Sequence, residues 1–235
     1  HLLSPVVFST SKPVPASEVA PAEVHFFAKS SPDLAVPDTQ PIFFSVPMYS
    51  QGYGKGDMTG PENGFSMLGG LVRPASRGEL TLTGPRPEDP VRIDLGALSE
   101  QADVDALVES VRQCREIGRQ EALAGWEPTE LYPGPEVADE DLEQYVRDSV
   151  VTYHHQVGTC RMGLDQDAVV NPRTLKVHGL NGIRIADASI MPLVPTGNTN
   201  APSIMIGERA AALLVNEAAT VTDEAATVPS GAVTV

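Results

Sequence analysis

Cysteine is scarce in this chain. Cys114 and Cys160 are its only two in 235 residues, too few for the disulfide framework of a small secreted domain, so a reduced, cytoplasmic chain is expected. Basic side chains are also few: 16 Lys and Arg stand against 31 Asp and Glu, a formal net charge of −15, which argues against nucleic acid or an anionic membrane surface as partner. No apolar run approaches the ~20 residues of a membrane-spanning helix, and no charged-then-apolar leader opens the sequence. Several catalytic signatures are missing too. There is no C-x-x-C or H-x-x-x-H pair, so no metal is expected. Around Ser66 the sequence GFSMLG lacks the second glycine of a G-x-S-x-G nucleophile elbow. The G-x-G-x-x-G turn that cradles a dinucleotide between strand and helix is absent as well.

What is present reads first as a sheet. Residues 6–8 (VVF) form a strand-like start, and residues 13–21 (PVPASEVAP) a Pro/Ala connector too poor in apolar residues to pack by itself. Residues 24–29 (VHFFAK), 41–48 (PIFFSVPM), 65–73 (FSMLGGLVR), 79–83 (ELTLT) and 91–94 are short, β-branched or aromatic, and separated by turn-rich segments. Glycines and charges make residues 51–64 a loop. Strands joined by turns, mostly with no helix between them, predict an antiparallel sheet. Ser99 is the expected N-cap of a helix with Val104, Leu107, Val108, Val111, Cys114 and Gly118 along one stripe. Asp103, Asp105, Glu109, Arg112 and Arg115 mark its expected wet face. A second helix, residues 139–150, starts with acidic residues at its positive end. Beyond Val215 the sequence is low in complexity, and residues 216–235 are expected to be a disordered tail.

The chemistry is concentrated in residues 152–214. Here lie His154, His155, Cys160 and His178, four asparagines, and a Gly/Pro-punctuated loop between apolar runs. Residues 149–157 read as a helix end passing into a short strand or extended turn, so His154 and His155 point to opposite faces. Residues 182–190 (GIRIADASI) read as a buried strand closed by a tight turn at Asp187, Ala188 and Ser189. After Pro192, Pro195 and Gly197, a helix carries Ile204, Ile206, Ala210, Ala211, Leu213 and Leu214, with Pro202 in its first turn. Asn198, Thr199 and Asn200 thus arrive at a helix N-terminus, whose unpaired N–H groups favour an electron-rich partner.

Three segments in order, HHQVGTCRMG, LKVHGLNGIRIADASIMP and GNTNAPSIMIGERAAALL, resemble the glucose-methanol-choline (GMC) flavin oxidoreductases, with closely similar spacing. Weaker resemblance runs upstream through residues 71–118, similar to the family's substrate-domain sheet and long helix. The opening HLLSP is similar to a segment that leads from the family's flavin-binding part into its substrate domain. The family's glycine fingerprint lies near its own N-terminus, so this chain resembles the C-terminal half. The resemblance implies an α+β fold: an antiparallel substrate-domain sheet flanked by helices, plus a C-terminal strand and helix that belong with an FAD-binding domain outside this sequence. In those terms residues 1–22 are connector and first strand, 23–150 the substrate-binding domain, and 151–215 the catalytic motif with the flavin-facing strand, loop and helix.

The same resemblance implies FAD as cofactor and oxidation of an alcohol CH–OH to a carbonyl. The motif's histidine corresponds to His155, a base, and the position that holds histidine or asparagine corresponds to Asn198. Asp187, Ala188, Asn198, Thr199 and Pro202 match positions along the flavin. A neutral imidazole titrating near working pH suits proton removal, and an amide suits donation to the developing alkoxide. The implied partners are a small-molecule alcohol and an N-terminal FAD-binding half in the same or a separate chain. From the residues alone other readings stay open: Cys160 as nucleophile with His155, or as inert packing; His154 and His178 as structural. A different class of function is also open, that of a non-catalytic remnant or complementing subunit bound to an FAD-holding partner.

Overall fold

The computed structural model describes residues 1–15, 22, 24–48 and 61–226, with side chains to residue 218. The expected loop at 51–64 falls mostly outside these residues. The chain forms two compact units, His1–His155 with Val194–Gly197, and Gln156–Leu193 with Asn198 onward.

The first unit is built on an antiparallel sheet of six strands: β1 (Leu2–Ser9), β2 (Val24–His25), β3 (Ile42–Phe44), β4 (Gly64–Leu71), β7 (Thr129–Tyr132) and β8 (Val151–Thr152), in the order β2-β3-β4-β1-β7 with β8 also on β1. A separate ribbon pairs β5 (Glu79–Leu82) with β6 (Val91–Asp94). Central β1 pairs with β4 along its whole length, Leu2↔Leu71 to Ser9↔Gly64. Its other edge is shared: Leu2 and Leu3 pair with β8, Val7 to Ser9 with β7. Pro5 lies in the gap between these partners, where its carbonyl accepts from Tyr145 Oη at 2.6 Å. Its missing N–H therefore costs no ladder bond, which is how a central strand accommodates proline.

α1 (Gln101–Gly118) packs against β4 and β1 and supplies Val104, Leu107, Val108, Val111 and Cys114 to a core that also holds Leu2, Val6, Phe8, Phe65, Met67 and Leu71. Phe8 and Phe65 stack with centroids 4.8 Å apart. Gly69 allows the helix to approach this closely, since a Cβ there would lie 3.0 Å from the backbone of Ser110 and Val111. α2 (Leu142–Ser149) closes the same core through Leu142 and Val146 and leads directly into β8.

Three expectations about α1 are corrected. Glu100, not Ser99, precedes the helix, and no side chain caps it; Ser99 N–H instead donates to the Gly96 carbonyl, because the chain turns through a left-handed Leu98. Asp103 is buried rather than wet, its carboxylate accepting from the N–H groups of Ala75 and Ser76 at 2.7 and 2.8 Å. Arg115 is buried as well. Its guanidinium pairs with Glu130 at 2.8 Å and donates to the carbonyls of Gly134 and Val137. Helical periodicity places these charges away from the sheet, but loops and β7 cover that side.

The second unit has little regular structure before α3 (Asn200–Ala226). Its frame is a set of isolated bridges, Met162↔Val170, Val170↔Val177 and Lys176↔Arg184, around a cluster of Val170, Leu175, Ile190, Met191, Ile206 and Ala210. The buried strand expected over residues 182–190 is not formed. Only Arg184 makes a bridge there, and Ile183 is exposed, because no neighbouring strand runs beside the segment among the described residues. The turn at its end is present as a short 3-10 helix, Ala188–Ile190. α3 continues to Ala226, past the expected helix end before Val215, so residues 216–226 are helical where a disordered tail was expected. Alanine-rich sequence lacks a packing stripe but has high helix propensity, which extends a helix already nucleated by packing.

Candidate functional site

The register of β1 and β8 decides what meets at the edge of the sheet. Leu2 opposes Thr152, and one step further Tyr153 N–H donates to the His1 carbonyl at 3.0 Å. The chain then leaves the extended conformation: His154 has a positive φ of 60°. The divergence of the two histidines thus comes from a left-handed turn and not from strand alternation as expected. His154 ends up exposed, while His155 folds back, half-buried, onto the sheet edge.

There His155 meets two rings. Its Nδ1 lies 2.7 Å from Nδ1 of His1, and the two imidazoles are edge-on, centroids 4.7 Å apart at 83°. Tyr153 packs on it from another side at 4.5 Å and 65°. His1 is buried, and its Nε2 lies 2.8 Å from the Pro195 carbonyl. Burial holds the His155 pKa below the usual imidazole value, and the neighbouring His154 acts in the same direction. The result is a neutral imidazole at neutral pH, one ring nitrogen committed to His1 and Nε2 left for another partner.

The remaining candidates belong to the second unit. Asp187 is exposed, and its carboxylate accepts from Ser189 N–H at 2.7 Å, which fixes the turn carrying Ala188. That turn is locked to the segment after His155: the Ser189 carbonyl accepts from Gly158 and Cys160, and that of Ile190 from Met162. Ala188 packs against the cluster that includes Ile206 and Ala210 of α3. Asn198 is exposed; the Thr199 carbonyl accepts from both N–H and Oγ of Ser203 in the first turn, where Pro202 also sits. Between residues 185 and 208 there is no Lys or Arg, so the polar groups at this helix start are a neutral amide and hydroxyl. That set fits the carbonyl edge of an uncharged ring system, not a diphosphate, which would call for basic side chains or a glycine-rich loop.

Cys160 packs partly buried against the cluster of the second unit, and His178 lies at the surface with Nε2 3.0 Å from the Gly163 carbonyl. Among the described residues no group of three His, Cys, Asp or Glu is placed to hold a metal ion, and no helix is long and apolar enough to cross a membrane. Sequence reasoning missed His1 and Tyr153 as parts of the site. Nothing in a histidine before an apolar strand signals that it will touch another 154 positions away.

The antiparallel sheet with its flanking helices and the turn-and-helix unit give an α+β protein, with His1 and half-buried His155 in contact at the sheet edge. A family model described as GMC oxidoreductase matches residues 74–207, more than half of the sequence, and the chain belongs to that family. It is 38% identical over 197 residues to an alcohol dehydrogenase [acceptor] of Pseudomonas putida, covering 83% of this chain and 35% of the relative. It is 37% identical over 189 residues to an oxygen-dependent choline dehydrogenase of Escherichia coli O127:H6, covering 80% and 33%. The chain therefore spans about a third of the length of these curated relatives. Among solved structures, pyridoxine 4-oxidase from Mesorbium loti superposes with a TM-score of 0.81 at 31% identity, over 90% of this chain and 41% of that one.

Proposed function

We propose that this chain is the substrate-binding and catalytic portion of a GMC-type flavoenzyme that oxidises an alcohol CH–OH group to a carbonyl, with His155 as the base. The observation that carries it is the half-buried imidazole of His155, braced by His1 and Tyr153 and kept neutral by burial. Family membership and relatives whose names state alcohol and choline dehydrogenation support it. FAD, when bound, supplies the hydride acceptor. Asp187, Ala188, Asn198, Thr199 and Pro202 are the residues of this chain that would lie along it. His155 takes the hydroxyl proton at Nε2, and the Asn198 amide donates to the oxygen as it gains charge, without itself titrating.

The residue set that binds the rest of FAD belongs to an N-terminal half, in the same or a separate chain, that covers the outer side of α3. Ile204, Met205, Leu214 and Val215, each more than half exposed, provide the apolar surface for it.

Anaerobic stopped-flow reduction of the FAD-loaded protein tests His155. In His155→Ala the flavin stays bound and its reduction slows by about two to four powers of ten; reduction at the unchanged rate removes His155 from the chemistry. The pH profile carries a sign. A base whose pKa is lowered stays unprotonated to lower pH, so the rate begins to fall on the acid side only below the ordinary imidazole value of about 6.5. An acid limb above that value contradicts the burial argument.

A further inference from the structure

We infer that His1 is a positioning residue that fixes the tautomer of His155, placing the proton on Nδ1 and the lone pair on Nε2. The starting point is the Pro195 carbonyl, which can only accept. Nε2 of His1, 2.8 Å away, must therefore carry a proton. In a neutral imidazole the other nitrogen then has the lone pair, so Nδ1 of His1 is an acceptor. The nitrogen it faces at 2.7 Å, Nδ1 of His155, has to be the donor. His155 thus holds its one proton on Nδ1, and Nε2 is left basic. The reverse polarity needs a doubly protonated His1. His1 is 6% exposed, and among the described residues its ring nitrogens lie within hydrogen-bond distance of an imidazole and a carbonyl but of no anion, so burial penalises that cation with nothing to offset it.

Every member of this chain of contacts is anchored within the first unit. The backbone of His1 is tied to β8 through Tyr153 N–H, and the Tyr153 ring limits rotation of His155. Next to Pro195, the Thr196 hydroxyl accepts from Arg73 at 3.3 Å. His1 does not shuttle the proton away. The group facing its Nε2 is the Pro195 carbonyl, a peptide oxygen far too weakly basic to take a proton, so the path ends there. Its effect is to choose which nitrogen of His155 is basic. An Nε2–H imidazole in the same place has no lone pair to offer an alcohol, and a general base in the wrong tautomer is inactive until it re-equilibrates.

The role of His1 rests on His155 being the base, and the test separates the two. The protein is labelled with 15N at histidine in its FAD-loaded form, and long-range proton–nitrogen spectra read the tautomers directly. His155 is expected as Nδ1–H and His1 as Nε2–H; an Nε2–H His155 in the native protein overturns the inference. Two substitutions probe cause. Asn places an acceptor oxygen where Nδ1 stood, whereas Gln reaches toward Pro195 as Nε2 did but offers nothing at the δ position. His1→Gln is expected to release His155 into a tautomer mixture and lower kcat about 10- to 100-fold with KM unchanged, the scale of losing an orienting partner behind a functional histidine. His1→Asn is expected to keep the Nδ1–H tautomer and recover at least about tenfold of that loss. Equal rates in the two variants, or a faster Gln variant, mean that His1 only fills space and refute the inference. If His155→Ala reduces flavin normally while the tautomers are as expected, His155 is not the base and the proposed function fails; the tautomer assignment then stands, but His1 loses its catalytic role.

Discussion

The two units of this chain are stabilised in different ways. In the first, eight-residue strands β1 and β4 pair along their full length and α1 seals them with large aliphatic and aromatic side chains, several of them fully buried. In the second, turns and single bridges hold a cluster of six buried residues, and α3 leaves much of its aliphatic surface in water. Hydrophobic stabilisation scales with apolar area removed from water, and the sheet unit has the larger buried core. The other unit leaves apolar side chains of α3 exposed, the surface that the proposed function assigns to a partner. The division also runs through the proposed chemistry: the base is mounted on the rigid sheet edge, whereas Asn198, Thr199 and the Asp187 turn sit on the unit with less internal packing.

The contrast can be broken most severely at Arg115. Arg115→Ala removes the guanidinium that pairs with Glu130 and serves the Gly134 and Val137 carbonyls, while Arg119 stays on the other Glu130 carboxylate oxygen at 3.1 Å, so the loss should lie near the lower end of the about 3–5 kcal/mol that removing one partner of a buried pair costs. Urea unfolding should show that loss in the sheet unit, and a change under about 1 kcal/mol would mean that solvent reaches the pair. A smaller effect belongs to the second unit. In the FAD-loaded protein Asn198→Ala should slow flavin reduction by the equivalent of about 1.5–3 kcal/mol, one hydrogen bond to a charged oxygen, while Asn198→His retains most of the rate, as the resemblance to the family implies. Stopped-flow reduction decides it, and an unaffected alanine variant rules out the oxyanion role. The smallest effect sharpens the idea of reserved surface. Ile204 is 60% exposed, so Ile204→Ser should change the stability of this chain alone by no more than about 0.5 kcal/mol. Assembled with the FAD-holding half, the same substitution should lower the melting temperature; no change there would mean that this side of α3 stays in water.

Much of the β-structure could be read from local pattern. The strands at residues 42–44, 79–82 and 91–94 appear where short β-branched and aromatic runs stand between turn residues, and the apolar stripe of α1 faces the core as its periodicity requires. Residues 182–190 carry a similar strand-like run but form no strand, because a strand is completed by a neighbour and not by its own side chains. The polar side of α1 misleads for a related reason: helical spacing tells which residues share a face, but not what will cover it, and Asp103 and Arg115 are buried by loops far away in sequence.

Sequence alone determined the family, through three motifs in order, and with it the candidate residues His155 and Asn198. It also determined the α+β class, since period and turn chemistry act over a few residues at a time. Only the tertiary structure decided that His154 turns outward through a left-handed backbone and that His155 is held neutral at the sheet edge. The same is true of the contact between His1 and His155. Proton positions depend on which atoms lie within about 3 Å, and residues 154 positions apart reach that distance only because β1 and β8 pair in one particular register.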